Sequence, residues 1–277
     1  MRDIRHWPIT RYLVEGPAHT PLSTGRLSSH WVDVEGRQFH TRVSDPAEAA
    51  EDRDVVLVHG LGVSSLYMVP TARLLAGQER VWAPDLPGFG HSDNPDEVLD
   101  IEGLADALAA WMRTVGLRES AVVGNSMGTQ TAVTCALRHP ALIDRLVLQG
   151  PTIDPEARNY FGLMLRWLRD MAHEPPSETL ILLRDGVQCG PIRFLGTWRH
   201  ALEDRIEEKL PQVHQPTMVV RGMQDRLVPE RWVRQVIDLL PDGRLRQIPG
   251  AAHTLNFATP LEFVRVMAPF LFESTAV

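Results

Sequence analysis

The pentapeptide Gly124-Asn125-Ser126-Met127-Gly128 holds the residues of this chain best suited to chemistry. It follows an apolar run, Ser120-Ala121-Val122-Val123, that reads as a buried strand, and it precedes Thr129 to Leu137, which reads as a helix. A serine at the tip of so tight a strand-to-helix turn exposes its Oγ, and the flanking glycines let strand and helix approach without Cβ clashes. The next amide, that of Met127, then lies at a helix N-terminus, where its N–H can face a developing oxyanion. The chemistry such a turn permits is attack by the Ser126 hydroxyl on an acyl carbon.

An attacking serine needs a base, and the base needs an orienting carboxylate. Thr217 to Gly222 reads as a β-branched strand, and Asp225 follows in the loop past its carboxyl end, where open α/β sheets place their sites. Asp154, just beyond a strand at Arg145 to Gln149, is the competing acid. A helical stretch from Arg231 to Leu240 and a strand from Arg244 to Pro249 lead to Gly250-Ala251-Ala252-His253. His253 is therefore the candidate base, again at a strand end. The other histidines lack this setting after a serine and an acid: His59 ends an earlier strand, His91 follows a Pro-Gly-Phe-Gly turn, and His139 precedes Pro140. A second oxyanion donor is expected after the strand Asp54 to Val58, in His59-Gly60-Leu61-Gly62; Leu61 is the first choice and Gly62 the second.

Elements that could position these groups are legible around them. Trp31 to Val34 and Gln38 to Val43 flank Glu35-Gly36 as a hairpin. Residues 1–28 lack periodicity and read as an arm, and Asp45 to Asp54 as an acidic turn. From Val55 onward strands alternate with helices, which implies a mainly parallel sheet covered on both faces. Val81 to Pro84 is one such strand; Ile101 to Val115 is an amphipathic helix with Leu104, Leu108, Trp111 and Met112 at helical spacing. The alternation breaks between Pro151 and about Pro216, a stretch too long for a simple crossover. Helices are expected there at 159–172, 177–186 and 191–209, so residues 151–210 read as a helical cap inserted between core segments 29–150 and 211–277.

Five segments together carry a resemblance: His59 to Gly62, Asp85-Leu86-Pro87-Gly88-Phe89-Gly90-His91-Ser92, Gly124 to Gly128, Arg221-Gly222-Met223-Gln224-Asp225 and Gly250 to His253. With them the chain resembles the α/β-hydrolase superfamily from about residue 30 to residue 275. The resemblance implies an eight-stranded, mostly parallel sheet flanked by helices, with the inserted cap over its active edge. It implies Ser126 as nucleophile, His253 as base, Asp225 as orienting acid, and structural roles for His59 and Asp85. Dehalogenases and epoxide hydrolases of that superfamily use an Asp where Ser126 stands, which argues against both.

Composition bounds the remaining choices. The 277 residues are 44% hydrophobic and 23% charged, ordinary for a globular protein, with a net charge of −7. No basic stretch suggests nucleic acid, and no apolar run is long enough to span a membrane. The charged N-terminus lacks a signal-peptide core, and Cys135 and Cys189 are the only cysteines, so a cytoplasmic protein is expected, with monomer and homodimer both left open. No metal-ligand spacing occurs, and neither metal nor cofactor is implied.

The expected partner is a small, apolar molecule. Met164, Trp167, Leu168, Phe194 and Trp198 could line a cavity in the cap, or simply pack it; Gly62 lies at the oxyanion loop. Arg193 is a candidate for holding a substrate carboxylate, as is Arg199, although either could be a surface charge. The leading activity is hydrolysis of an ester or lactone with an apolar acyl group. The elbow also looks like that of the meta-cleavage product hydrolases, which break carbon–carbon bonds in vinylogous diketones. Those enzymes usually carry Trp after the histidine and continue the elbow Gly-Gly; this chain has Thr254 and Gly128-Thr129. A ligand receptor or an acyltransferase on the same fold are further alternatives.

Overall fold

The computed structural model describes residues 25–45, 54–171 and 173–272. The segment 1–24 and most of the acidic turn, 46–53, lie outside the described residues, as does Ala172. β1 (Leu27–Val34) already takes in Leu27 and Ser28, so the expected arm gives way to the sheet two residues early.

The sheet is built outward from short runs of Val and Leu. In β3 (Asp54–Val58), Val56 and Val58 join the core on one face of the sheet, and Val55 and Leu57 the core on the other. Strand side chains alternate between faces, so an unbroken apolar run means burial on both. Eight strands run in the order β1-β2-β4-β3-β5-β6-β7-β8. They are, besides β1 and β3, β2 (Arg37–Ser44), β4 (Arg80–Pro84), β5 (Ser120–Asn125), β6 (Ile143–Gln149), β7 (Thr217–Gly222) and β8 (Gly243–Ile248). β1 and β2 form the expected hairpin, β2 pairs antiparallel with β4, and β3 through β8 are parallel. The chain leaves β3 for β4 on one side and returns to β5 on the other, so the order reverses at β3 and β5. Their carboxyl ends, paired at Val58 and Gly124, open a crevice where such sheets bind ligands.

Helices cover both faces. α2 (Ile101–Thr114), α3 (Met127–Arg138) and α8 (Glu230–Leu239) share one core with buried Trp111 and Trp232. α1 (Ser65–Leu75) and α10 (Pro260–Phe272) share the other with Phe263 and Phe270. α1 and the short α9 (Leu255–Ala258) were not singled out by the sequence pattern; Pro70 interrupts the periodicity of α1.

Between β6 and β7 lie α4 (Tyr160–Met171), α5 (Pro176–Cys189), α6 (Pro191–Glu203) and α7 (Ile206–Lys209). The last two replace one expected helix. The break falls at Asp204, whose carboxylate accepts from Gln130 Nε2 at 2.9 Å and also holds Lys209 Nζ. Asp204 sits in extended backbone there, φ −67° and ψ 127°. Among the described residues no helix is long and apolar enough to cross a membrane.

Candidate active site

Ser126 stands at the junction of β5 and α3 with φ 54° and ψ −121°, a conformation that non-glycine residues rarely adopt. Its surroundings over-determine it. The Ser126 N–H donates to Gln149 O at 3.0 Å, and its carbonyl accepts from the N–H and Oγ1 of Thr129 at 2.9 and 2.6 Å. The flanking glycines are needed for close approach. A Cβ on Gly124 would lie 2.5 Å from Gly128 O, and one on Gly128 would lie 2.5 Å from Val58 O. α3 can thus pack its first turn against the end of β3. Met127 opens α3, so its N–H has no acceptor within the helix.

The loop after β3 is fixed by His59 and Asp85, both fully buried. His59 Nδ1–H donates to Gly60 O at 2.8 Å and Nε2 accepts from Leu86 N–H at 3.0 Å, which defines a neutral ring. Burial holds its pKa below the ordinary value, consistent with that state. Asp85 accepts from Ser65 N–H at 2.6 Å and His91 N–H at 2.8 Å and pairs with His40 Nδ1 at 2.7 Å. Burial opposes its charge, but these bonds, that with His40 foremost, prevail and lower its pKa to about 2. Leu61 and Gly62 are thereby presented at the same crevice as Ser126.

His253 and Asp225 meet at that edge. His253 Nδ1 lies 2.8 Å from Asp225 Oδ2, and Asp225 Oδ1 accepts from Val228 N–H at 2.7 Å. Arg221 staples the acid loop, its guanidinium donating to Val228 O at 2.7 Å and Asp225 O at 3.0 Å. Asp154, the competing acid, is engaged elsewhere: Arg231 reaches it at 2.5 Å and Arg166 at 2.7 Å. Burial alone would lower the pKa of His253. The Asp225 carboxylate outweighs it, through charge and hydrogen bond, and Asp170 and Glu174 add to the rise, to about 9. His253 lines the cavity together with Ser126, and its Nε2 is buried without a hydrogen-bond partner. In this resting arrangement no hydrogen bond joins it to Ser126 Oγ, a common looseness of apo sites.

Gln149 and Gly150 tie these parts together, and neither stands out in the sequence. The Gln149 backbone receives Ser126 N–H, while its side chain donates to His253 O at 2.9 Å. A Cβ on Gly150 would lie 2.7 Å from the His253 ring, so only glycine leaves room for that ring.

The cavity above these groups has a volume of about 270 Å³. Leu61, Gly62 and Met127 form part of its floor; Met164, Trp167, Phe194 and Trp198 belong to its helical wall. Two expected lining residues do not reach it. Leu168 lies on the outer face of α4 and is 54% exposed. Arg193 points to the core loop instead, donating to Pro95 O at 2.8 Å beside Gly88. Arg199 is exposed and paired with Glu203. Among the described residues that line the cavity there is no Lys or Arg, but Glu178 is present. Tyr67, Leu182 and Ile153 also line it, although no sequence motif marks them.

A family model described as the α/β hydrolase fold matches residues 55–183. The chain is 25% identical to 2-hydroxymuconate semialdehyde hydrolase of Pseudomonas putida, over 86% of this chain and 93% of that protein. It is 26% identical to a pimeloyl-[acyl-carrier protein] methyl ester esterase of Shewanella woodyi, over 80% of this chain and 94% of that one. The solved structure of an enol-lactonase from Burkholderia xenovorans superposes with a TM-score of 0.74 at 20% identity, covering 88% of this chain and 100% of that one.

Proposed function

We propose that this chain, which belongs to the α/β-hydrolase superfamily, is a serine hydrolase of uncharged esters or lactones with an apolar acyl part. Ser126 attacks the acyl carbon as His253 takes its proton, and Asp225 holds the imidazole and stabilises its charge. The N–H groups of Met127 and Leu61 receive the oxyanion. His253 then protonates the leaving alcohol and activates the water that clears the acyl-enzyme. Residues 151–210 act as the cap that shapes the acyl cavity, and three side chains together with two backbone N–H groups carry these steps.

The observation that carries the choice of substrate is the lining of the cavity: mostly apolar and aromatic side chains, no Lys or Arg among the described residues, and the carboxyl group of Glu178. A dienoate substrate of the carbon–carbon hydrolases would bring a carboxylate into that space with no Lys or Arg to meet it and with the Glu178 carboxyl group nearby, at a desolvation cost. A neutral ester meets no such penalty. The similarity to a semialdehyde hydrolase keeps carbon–carbon cleavage as the rival activity.

Intact-protein mass after treatment with a small fluorophosphonate tests the nucleophile. One stoichiometric adduct is expected, absent from Ser126→Ala, together with a fall in ester turnover on the order of 10⁵ to 10⁶. An unlabelled but folded protein would overturn the reading and favour a binding role. Faster turnover of a coloured dienoate than of any neutral ester would favour carbon–carbon hydrolysis.

A further inference from the structure

Four polar side chains meet beside His253 and take no part in the steps above. They are Tyr67 from α1, Glu174 from the α4–α5 connection, Glu178 from α5, and Thr254, the residue after His253. Thr254 N–H donates to Glu174 Oε1 at 2.8 Å. Thr254 Oγ1 lies 2.5 Å from Glu174 Oε2 and 2.8 Å from Glu178 Oε2. The Tyr67 hydroxyl lies 3.4 Å from Glu178 Oε1. Tyr67, Glu178 and Thr254 are all buried.

The protons do not balance if both carboxyl groups are ionised. A hydroxyl carries one proton. Thr254 Oγ1 can donate to one of its two carboxyl neighbours, and the other contact would then set lone pair against lone pair. One further proton must sit on a carboxyl group. Glu174 receives both the N–H and the hydroxyl of Thr254, so each of its oxygens already acts as an acceptor. Glu178 receives only the long contact from Tyr67 and faces the apolar cavity.

We propose that Glu178 is a neutral carboxylic acid that donates to Thr254 Oγ1, completing a directional chain from Tyr67 through Glu178 and Thr254 to the Glu174 carboxylate. The chain fastens α5 and the α4–α5 connection to the loop that carries His253, which makes Glu178 a positioning residue for the base. The proposal rests on the serine-hydrolase reading for its kinetic consequences, but not for the location of the proton.

The groups facing Glu178 agree with this assignment. They are Tyr67 from α1, Asp170 from α4, Glu174, and His253 from the loop after β8. Burial first, and then the Glu174 carboxylate, push Glu178 up to about 8, against the opposing effects of Thr254 and His253. Burial likewise lifts Asp170 to about 6 and keeps the Tyr67 hydroxyl protonated. When Glu178 ionises, its proton leaves to solvent. Two carboxylates then compete for one hydroxyl, and a new negative charge beside His253 strengthens the hold of the imidazole on its proton.

Infrared spectra of the wild type and Glu178→Gln at neutral pH read the proton directly. A protonated-carboxyl stretch present in the wild type and lost in the variant is expected; its absence from the wild type would overturn the assignment. Kinetics on p-nitrophenyl butyrate from about pH 6 to about pH 10 read the positioning role. Glutamine keeps both hydrogen bonds but cannot ionise, so the acid limb of kcat/KM moves to lower pH by roughly half a unit. An unmoved limb would count against coupling to His253. Thr254→Val should lower kcat about tenfold with KM changed less than about threefold, and Thr254→Ser should restore it. A Thr254→Val enzyme with wild-type kcat would sink the positioning role. The infrared band with no ester turnover and no fluorophosphonate adduct would uphold the proton and reject the hydrolase reading.

Discussion

The cavity has two walls of opposite construction. The wall at the sheet edge is made of backbone held by buried hydrogen bonds: the strained Ser126 turn, the His59–Asp85 brace, and the Asp225 loop stapled by Arg221. The wall formed by the helices between β6 and β7 is made mostly of apolar side chains, and its outer surface carries apolar residues as well, with Phe161 80% and Val187 81% exposed. It is tied to the core by a few polar contacts, Ser64 to Asp185 at 2.6 Å and Asp170 to Arg226 N–H at 2.8 Å among them. A site that moves charge needs donors fixed before the reaction begins. A site that admits an acyl group needs area and shape, which interchangeable apolar residues supply. One wall is therefore intolerant of change, and the other adjustable.

Damage to the first wall should give the larger effects. Asp225→Asn should lower kcat about 10⁴-fold while leaving KM nearly unchanged, since the imidazole loses its orienting charge. Asp154→Asn should leave kcat within about threefold and instead lower stability by roughly 1 to 3 kcal/mol in chemical denaturation, because Arg166 and Arg231 lose their buried partner. Equal kinetic losses in the two variants would erase the distinction between the acids. Gly128→Ala would press a methyl group onto Val58 O and His59 O, at 2.5 and 2.7 Å. A loss of about 3 kcal/mol or more is expected in thermal or denaturant unfolding, together with misplacement of the Met127 N–H.

The pH profile follows from His253. Its pKa, raised to about 9, leaves the imidazole protonated at neutral pH, so kcat/KM should climb roughly tenfold per pH unit until that value is passed. The same shift favours the fold. The folded value exceeds the ordinary 6.5, so the contribution is complete below that pH and disappears as pH rises through about 9. A flat rate profile between pH 6 and pH 9, both approximate limits, would show that His253 is neutral in the resting enzyme.

Changes in the second wall should be smaller and should separate binding from chemistry. Trp167→Ala is expected to raise KM for a long-chain ester about tenfold with kcat changed less than about threefold. Leu168→Ala, one residue along but on the outer face, should change neither beyond about twofold. If both substitutions act alike, the helical wall is not the acyl site.

Ser126, Asp225 and His253 could be nominated from sequence because strand ends and turn glycines are local signals, and α/β sheets gather strand ends along one edge. The same logic located the parallel strands and the core helices α2, α3, α8 and α10, but not α1. It also set apart the stretch between β6 and β7 as helical and too long for a simple crossover. The lining of the cavity was legible only in part. Met164 and Leu168 lie four residues apart on α4 and look alike in sequence, yet Met164 lines the cavity and Leu168 is exposed. Arg193 looked available to a substrate until the fold gave it Pro95 O.

The sequence by itself determined the strands, most of the core helices, their order and the residue types that stand at the sheet edge, because these depend on periodicity and on turns a few residues long. Tertiary structure alone decided which of Asp154 and Asp225 meets His253, that Gln149 bridges serine and base, and that Glu174, Glu178 and Tyr67 gather at Thr254. Those partners come from elements far apart in the chain, and whether a polar group finds a proton, a cation or a carboxylate depends on what packing brings within hydrogen-bond reach.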